Sequence, residues 1–209
     1  MDQLLVDAVR LVHLAGIALG LGLGIYADSL FLRGLAHPIR PNRLAELRRM
    51  HGYVFLALAL LWVSGFVLFA LRTGFDPALF SAKLVAKFSV VTVLTVNALA
   101  IGAVALPILA LSAERCFGDL PAPQRLVLGI IGGISCTSWG LALALGVFTA
   151  AKTLSGQTLM TLLGTGYALG LVTGLGVTLI APHLAALYRL RPAGLRDFGG
   201  PEDAALQPR

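Results

Sequence analysis

The sequence predicts an all-α, polytopic membrane bundle of about five transmembrane helices, with the N-terminus outside and the C-terminus cytoplasmic. Three observations carry this. First, of 209 residues 57% are hydrophobic and only 12% are charged, and the mean hydropathy is +0.87. A soluble domain carries about twice that charge. Second, the apolar residues fall in continuous runs of the length a bilayer core requires, about 20 residues. They lack the two-residue alternation of barrel strands. Third, lysine and arginine concentrate in alternate connectors. A soluble globule and a disordered chain are thereby excluded, and glycines without a three-residue period exclude collagen.

The first run covers about residues 4–32. It is long for a signal peptide, begins with Asp2 and Asp7, and continues into an arginine-rich segment, as a retained helix does. That segment holds Arg33, Arg40, Arg43, Arg48 and Arg49. Within it, RPNRLAELRRM at 40–50 places Leu44 and Leu47 among charges after the Pro38 and Pro41 breaks. It reads either as a short amphipathic helix on the cytoplasmic surface, its arginines on anionic lipid, or as a solvated connector.

The second run covers about residues 53–71, the third 79–111, the fourth 126–151 and the fifth 159–187. Pro107 and Pro182 fall near span ends, where proline kinks or stops a helix. Residues 1–191 make one helical bundle, and the polar, Pro- and Gly-rich residues 192–209 read as a flexible cytoplasmic tail. Eleven of the sixteen basic residues fall on the side of the first and third connectors and the tail, which sets the orientation. The net charge of +6 is explained by these membrane-edge residues, so no nucleic-acid partner is expected. Cys116, in a polar connector, and Cys136, in an apolar run, read as free thiols.

Glycines repeat every fourth position at Gly16, Gly20 and Gly24, at Gly129 and Gly133, and at Gly166, Gly170 and Gly174. Such stripes let helix backbones approach in lipid. They serve packing within the chain or, besides the bilayer itself, a homo-oligomer or larger membrane complex.

Ionisable groups at membrane depth are expensive and mark candidate sites. His13 lies about nine residues into the first span, roughly 13 Å from its edge, and Lys87 about eight residues into the third, roughly 12 Å. Ser64, Ser138, Trp139 and Tyr167 come to a similar level on the other spans. His13 shares a helix face with Gly20 and Gly24 and is expected to point inward. The expectation is one cavity in the outer leaflet bordered by His13 and Lys87, with Trp139 or Tyr167 in its wall. Asp28, Asn97 and Ser138 are further candidates for a polar cavity. Each has a plainer reading. Asp28 pairs with Arg33 or a helix end, Asn97 bonds to another helix, and Trp139 and Tyr167 pack. Lys83 and Lys87 snorkel to the interface, and His37, His51 and His183 are solvated at the opposite edge. The Walker loop, HExxH and GxSxG motifs are absent.

The first span, VRLVHLAGIALGLGLGIYADSLFL, carries an early histidine, small residues and a polar position before a basic loop. The third, SAKLVAKFSVVTVLTVN, carries a lysine followed ten positions later by a polar residue. Over residues 9–107 the chain resembles the haem-associated bacterial membrane proteins around the HemJ-type protoporphyrinogen oxidases and the CopD group. It also resembles uncharacterised multi-pass proteins of the bacterial inner membrane through GISCTSW at 133–139. The resemblance implies a haem b role for His13, as metal ligand, and for Lys87. Asn97 stands where that group often has a second histidine.

Three functions follow as expectations: a haem-binding or redox membrane protein of the bacterial inner membrane, an oxidoreductase if it is an enzyme; a small transporter or permeation subunit; or a non-catalytic assembly subunit. Orientation is directly testable. In a cysteine-free background, Ala45→Cys should resist a membrane-impermeant maleimide in intact cells and react after permeabilisation. Ready labelling of intact cells reverses the topology.

Overall fold

The computed structural model describes residues 3–38, 40–113 and 115–190, so the tail at 192–209 lies outside the described residues. Six α-helices run in order: α1 (Gln3–Ala36), α2 (Pro41–Thr73), α3 (Ala82–Ala100), α4 (Leu106–Leu111), α5 (Ala122–Val147) and α6 (Gly156–Arg189). No strand occurs among the described residues. A π-turn at Ile101–Ala105 joins α3 and α4 into a single span. Five helices are therefore long and apolar enough to cross a membrane, and the chain is a multi-pass integral membrane protein.

The π-turn has a local cause. Pro107 has no N–H, and its ring crowds the carbonyl one turn earlier. The N–H of Leu106 instead reaches back to the Ile101 carbonyl, one residue further than in an α-helix. The third span bulges and continues where the sequence suggested a kink or stop. Gly102 on the bulge makes room for a ring from α2, since a Cβ there would lie 2.7 Å from His51 Nε2.

The helices overrun their apolar runs. α2 begins with Pro41 at its first turn, after an extended Arg40 (φ −71°, ψ 151°). Residues 40–50 are thus neither a separate surface helix nor a loose connector. Nothing after Met50 breaks the helix, and Leu44 and Leu47 pack onto a core cluster. The Tyr26 hydroxyl on α1 donates to Glu46 at 2.6 Å, and Arg43 pairs with the same carboxylate at 3.1 Å. α6 likewise runs through Pro182 to Arg189. α2 ends at Gly74, whose left-handed φ of 56° glycine adopts readily. Phe75 follows with φ 64°, its ring edge-on to Phe69 at 5.1 Å.

Cross-helix contacts fix the directions. His13 meets Ser64, Gly16 faces Leu60 and Ala57, and Tyr26 meets Glu46, so α1 and α2 are antiparallel. Asn97 meets Ile131 and Lys83 meets Phe148, which sets α3 against α5. α5 is the hub, packed by α1, α3 and α6. At the arginine-rich end the connector before α5 folds inward. Phe117 is buried with its ring edge-on to Phe31 at 4.8 Å. Arg125 donates to the Leu120 and Gly118 carbonyls, and Arg189 pairs with Asp119.

The glycine stripes are occupied by helices of this chain. A Cβ on Gly129 would lie 2.7 Å from the Gly174 carbonyl oxygen, and one on Gly133 would collide with the Gly170 carbonyl. On α1, Gly20 and Gly24 lie under the Trp139 indole, with a Cβ on Gly24 only 3.0 Å from Trp139 Nε1. Gly132, one position from Gly133, faces open space, with nothing within 4 Å of a Cβ. The pair makes a controlled test. Gly133→Leu should lower thermal stability in detergent by about 1–3 kcal/mol through overpacking. Gly132→Leu should stay within about 0.5 kcal/mol, as a surface change does. Equal melting of the two variants would remove the α5–α6 backbone contact from the account.

Candidate functional site

At the arginine-poor end, α1, α2, α3 and α5 separate around a cavity of about 730 Å³, within the size range of small-molecule and cofactor sites. Three of the four helices contribute basic side chains. α1 supplies Arg10 and His13, α2 supplies Arg72, and α3 supplies Lys87. The remaining lining is mainly apolar. Its aromatic part comes from Trp62, Phe69 and Phe88, which belong to a larger cluster. Trp62 stacks on Phe66 with centroids 5.4 Å apart, and Phe69 meets Phe88 edge-on at 5.6 Å. The indole N–H of Trp62 is satisfied by Thr95 Oγ1 at 3.0 Å.

His13 is held in one orientation. Its Nδ1 lies 2.9 Å from Ser64 Oγ. The Ser64 hydroxyl donates its single proton to the Leu60 carbonyl, the back-bond common for serine inside a helix. With that proton on Leu60, Ser64 Oγ is open as an acceptor toward the imidazole, and the tautomer that uses it carries the proton on Nδ1 and the lone pair on Nε2. His13 is among the residues that line the cavity. A neutral imidazole with its N–H anchored and its second nitrogen free is the arrangement that orients metal-ligating histidines.

The charges on the cavity are lopsided. Lys87 is half-buried, has no hydrogen bond or ion pair among the described residues, and feels Lys83, Arg72 and Lys152 as like charges. Arg10 is paired with Asp7 at 2.7 Å, but both side chains are exposed, where such a pair contributes little. The cavity therefore presents excess positive charge against an apolar interior. Lys83 behaves differently from the snorkelling expected of it. It is 8% exposed and its ammonium donates to the Phe148 carbonyl at 2.7 Å. It satisfies the end of α5, where a cation also complements the helix dipole.

The other expected residues lie elsewhere. Trp139 is buried between α1 and the core of α2 and α3 rather than in the cavity wall. Tyr167 is also outside the lining, and its hydroxyl meets Ser138 Oγ at 3.1 Å. Ser138 is fully buried and donates to the Ile134 carbonyl at 2.7 Å, and its oxygen shares the second hydrogen bond with the Tyr167 hydroxyl. Asn97 is buried and donates to the Ile131 carbonyl at 3.2 Å. Asp28 lines a separate groove and accepts from the Cys136 thiol at 3.0 Å. It makes no ion pair with Arg33, because five helical positions turn the two side chains about 140° apart. Lys87, Asn97 and Asp28 thus occupy three separate environments.

The residues not foreseen as site members are Arg10, Arg72, Trp62, Phe69 and Phe88. The arginines were legible only as topology charges. The aromatic wall did leave a signal: Trp62, Phe66 and Phe69 fall at i, i+4 and i+7, one face of a helix. Compared with known proteins, the chain matches no family model, no curated protein and no solved structure at a significant level.

The two lysines are separable by experiment. Lys83→Met removes the shorter of the two hydrogen bonds to the Phe148 carbonyl, leaving the Ala151 N–H at 3.4 Å, and should lower stability by about 1–2 kcal/mol. Lys87→Met removes an unpaired cation and should leave the ligand-free protein as stable or more so. Greater loss for Lys87→Met, read by thermal unfolding in detergent, would assign Lys87 a hidden partner.

Proposed function

We propose that this integral membrane protein, of the bacterial inner membrane, binds haem b in the cavity between α1, α2, α3 and α5. His13 would hold the haem iron through a ring nitrogen. Arg72 and Lys87, with Arg10 at the mouth, balance the propionates. One observation supports the reading: His13 lines the cavity with its Nδ1 against Ser64 Oγ, and in the tautomer with the proton on Nδ1 the other ring nitrogen is the one available to a metal. The rest of the cavity supports it. Haem needs an apolar slot, an axial donor and counter-charges for two carboxylates, and the aromatic wall, His13 and the basic cluster are of those types. The resemblance of residues 9–107 to haem-associated membrane proteins points the same way. Bound haem would supply one-electron chemistry, which makes a membrane oxidoreductase the corresponding activity. The protein's own residues orient the ring, balance its charge and exclude water.

The test is an absorbance spectrum of the protein purified after haem-supplemented expression. The wild type should show a Soret band and His13→Ala should lose it. His13→Gly should regain it with added imidazole, which separates loss of the ligand from loss of the fold. Ser64→Ala should weaken haem affinity by about 10–100-fold, as removal of a ligand-orienting bond does. A wild type without a Soret band, or an undiminished band in His13→Ala, overturns the proposal.

A further inference from the structure

The basic cavity has four sides, and contacts between helices close three of them. Between α1 and α2, His13 meets Ser64, and Gly16 lies against Leu60 and Ala57. Between α2 and α3, the Phe88 ring lies against Trp62 and Phe66, with centroids 6.0 and 5.6 Å away. Between α3 and α5, Lys83 holds the Phe148 carbonyl, and Ala86 and Val90 share a buried cluster with Leu145. The α1–α5 side is different. There the indole of Trp139 covers Gly20 and Gly24, below the cavity. Above that ring, Leu14 of α1 and Leu143 and Val147 of α5 line the cavity and yet are exposed, Leu14 at 62% and Val147 at 64%. Side chains that open belong to a rim rather than to an enclosed wall. Gly146 lines the cavity beside them, and a Cβ there would meet nothing within 4 Å.

Both edges of this rim belong to helices that cross the membrane, so the opening faces lipid. Behind it stand the aromatic wall and Lys87, whose ammonium has no ion pair among the described residues. A cation in an apolar space is strongly disfavoured until an anion meets it. A molecule that reaches it from the hydrocarbon must also carry an apolar body. We infer that the basic cavity is loaded sideways from the bilayer, through a window between α1 and α5 with Trp139 as its sill. What enters is an amphiphilic carboxylate, its head on Lys87 and its apolar body against the aromatic wall. The choice of carboxylate rests on the haem reading, since haem is one such molecule; the window itself requires no iron.

The experiment uses the full chain in phosphatidylcholine liposomes and palmitic acid with a mid-chain diazirine, added with the lipid. After illumination, adducts should map to the cavity-lining segments of α1, α2, α3 and α5. Excess palmitate should abolish them. Hexadecanol, aqueous succinate and phosphatidylglycerol added to the lipid should not. Lys87→Met should lower labelling about tenfold or more, as loss of a favourable charge contact does. Gly146→Trp fills the window and should slow labelling by a similar factor, and so should Leu14→Trp from the facing rim. Gly140→Trp puts the same ring on α5 outside the cavity, where a Cβ also meets nothing within 4 Å, and should label like the wild type. Competition by succinate would open the cavity to water, and competition by phosphatidylglycerol would hand it to lipid headgroups; either overturns the inference. So do absent cavity labelling, equal competition by hexadecanol, undiminished labelling in Lys87→Met or in both window variants, and an equal fall in Gly140→Trp. The haem reading fails on a different signal. A missing Soret band with labelling intact removes haem and keeps the window, and a Soret band without cavity labelling does the reverse.

Discussion

Close approach of backbones at α5 is the constraint on which this bundle depends. Lipid removes most of the hydrophobic drive between helices, so association relies on contact and on interhelical hydrogen bonds. α5 meets that demand on several sides. Gly129 and Gly133 lie against Gly174 and Gly170 of α6, while Trp139 covers Gly20 and Gly24 of α1. Ile131 and Phe148 offer carbonyls to Asn97 and Lys83 of α3. Small residues and buried polar side chains thus do what large apolar surfaces do in water.

The same contacts decide where the cavities lie. Along the α1–α5 seam, His13 and Ile17 face Ala142 in the basic cavity, and Asp28 faces Cys136 in the acidic groove. Between them the Trp139 indole fills the space above Gly20 and Gly24. The stripe is continuous in sequence, but its occupant is one large ring, so the seam is closed in the middle and open at both ends. Trp139 is therefore a partition, and its hydrophobic surroundings of Leu58, Leu61, Leu94 and Ala98 hold it there.

What the sequence made legible follows from what depends on local pattern. The five spans could be read because each apolar run is continuous. Helical rise could place His13 and Lys87 at one level, and both line one cavity. Rise gives depth but not azimuth, however. Trp139 and Tyr167 share that level yet turn toward α1 and Ser138. Helix ends were hidden for a related reason. The start of α2 at Pro41 depends on Leu44 and Leu47 finding a core built from distant residues. The role of Lys83 depends on a carbonyl 65 positions away. Neither partner is visible in a local window.

The partition also accounts for the two cavities having opposite charge. Asp28 lies fifteen residues beyond His13 on α1, about 22 Å along the helix. At that separation, and with Trp139 between them, Asp28 cannot serve as the counter-ion of Lys87. In a low-dielectric interior each charge must then be met locally or neutralised. The protein meets neither fully: Lys87 has no partner among the described residues, and Asp28 has only a thiol. Two incompletely compensated charges of opposite sign therefore stand apart, each beside an apolar space. Trp139 thereby separates chemistries that direct contact would have cancelled.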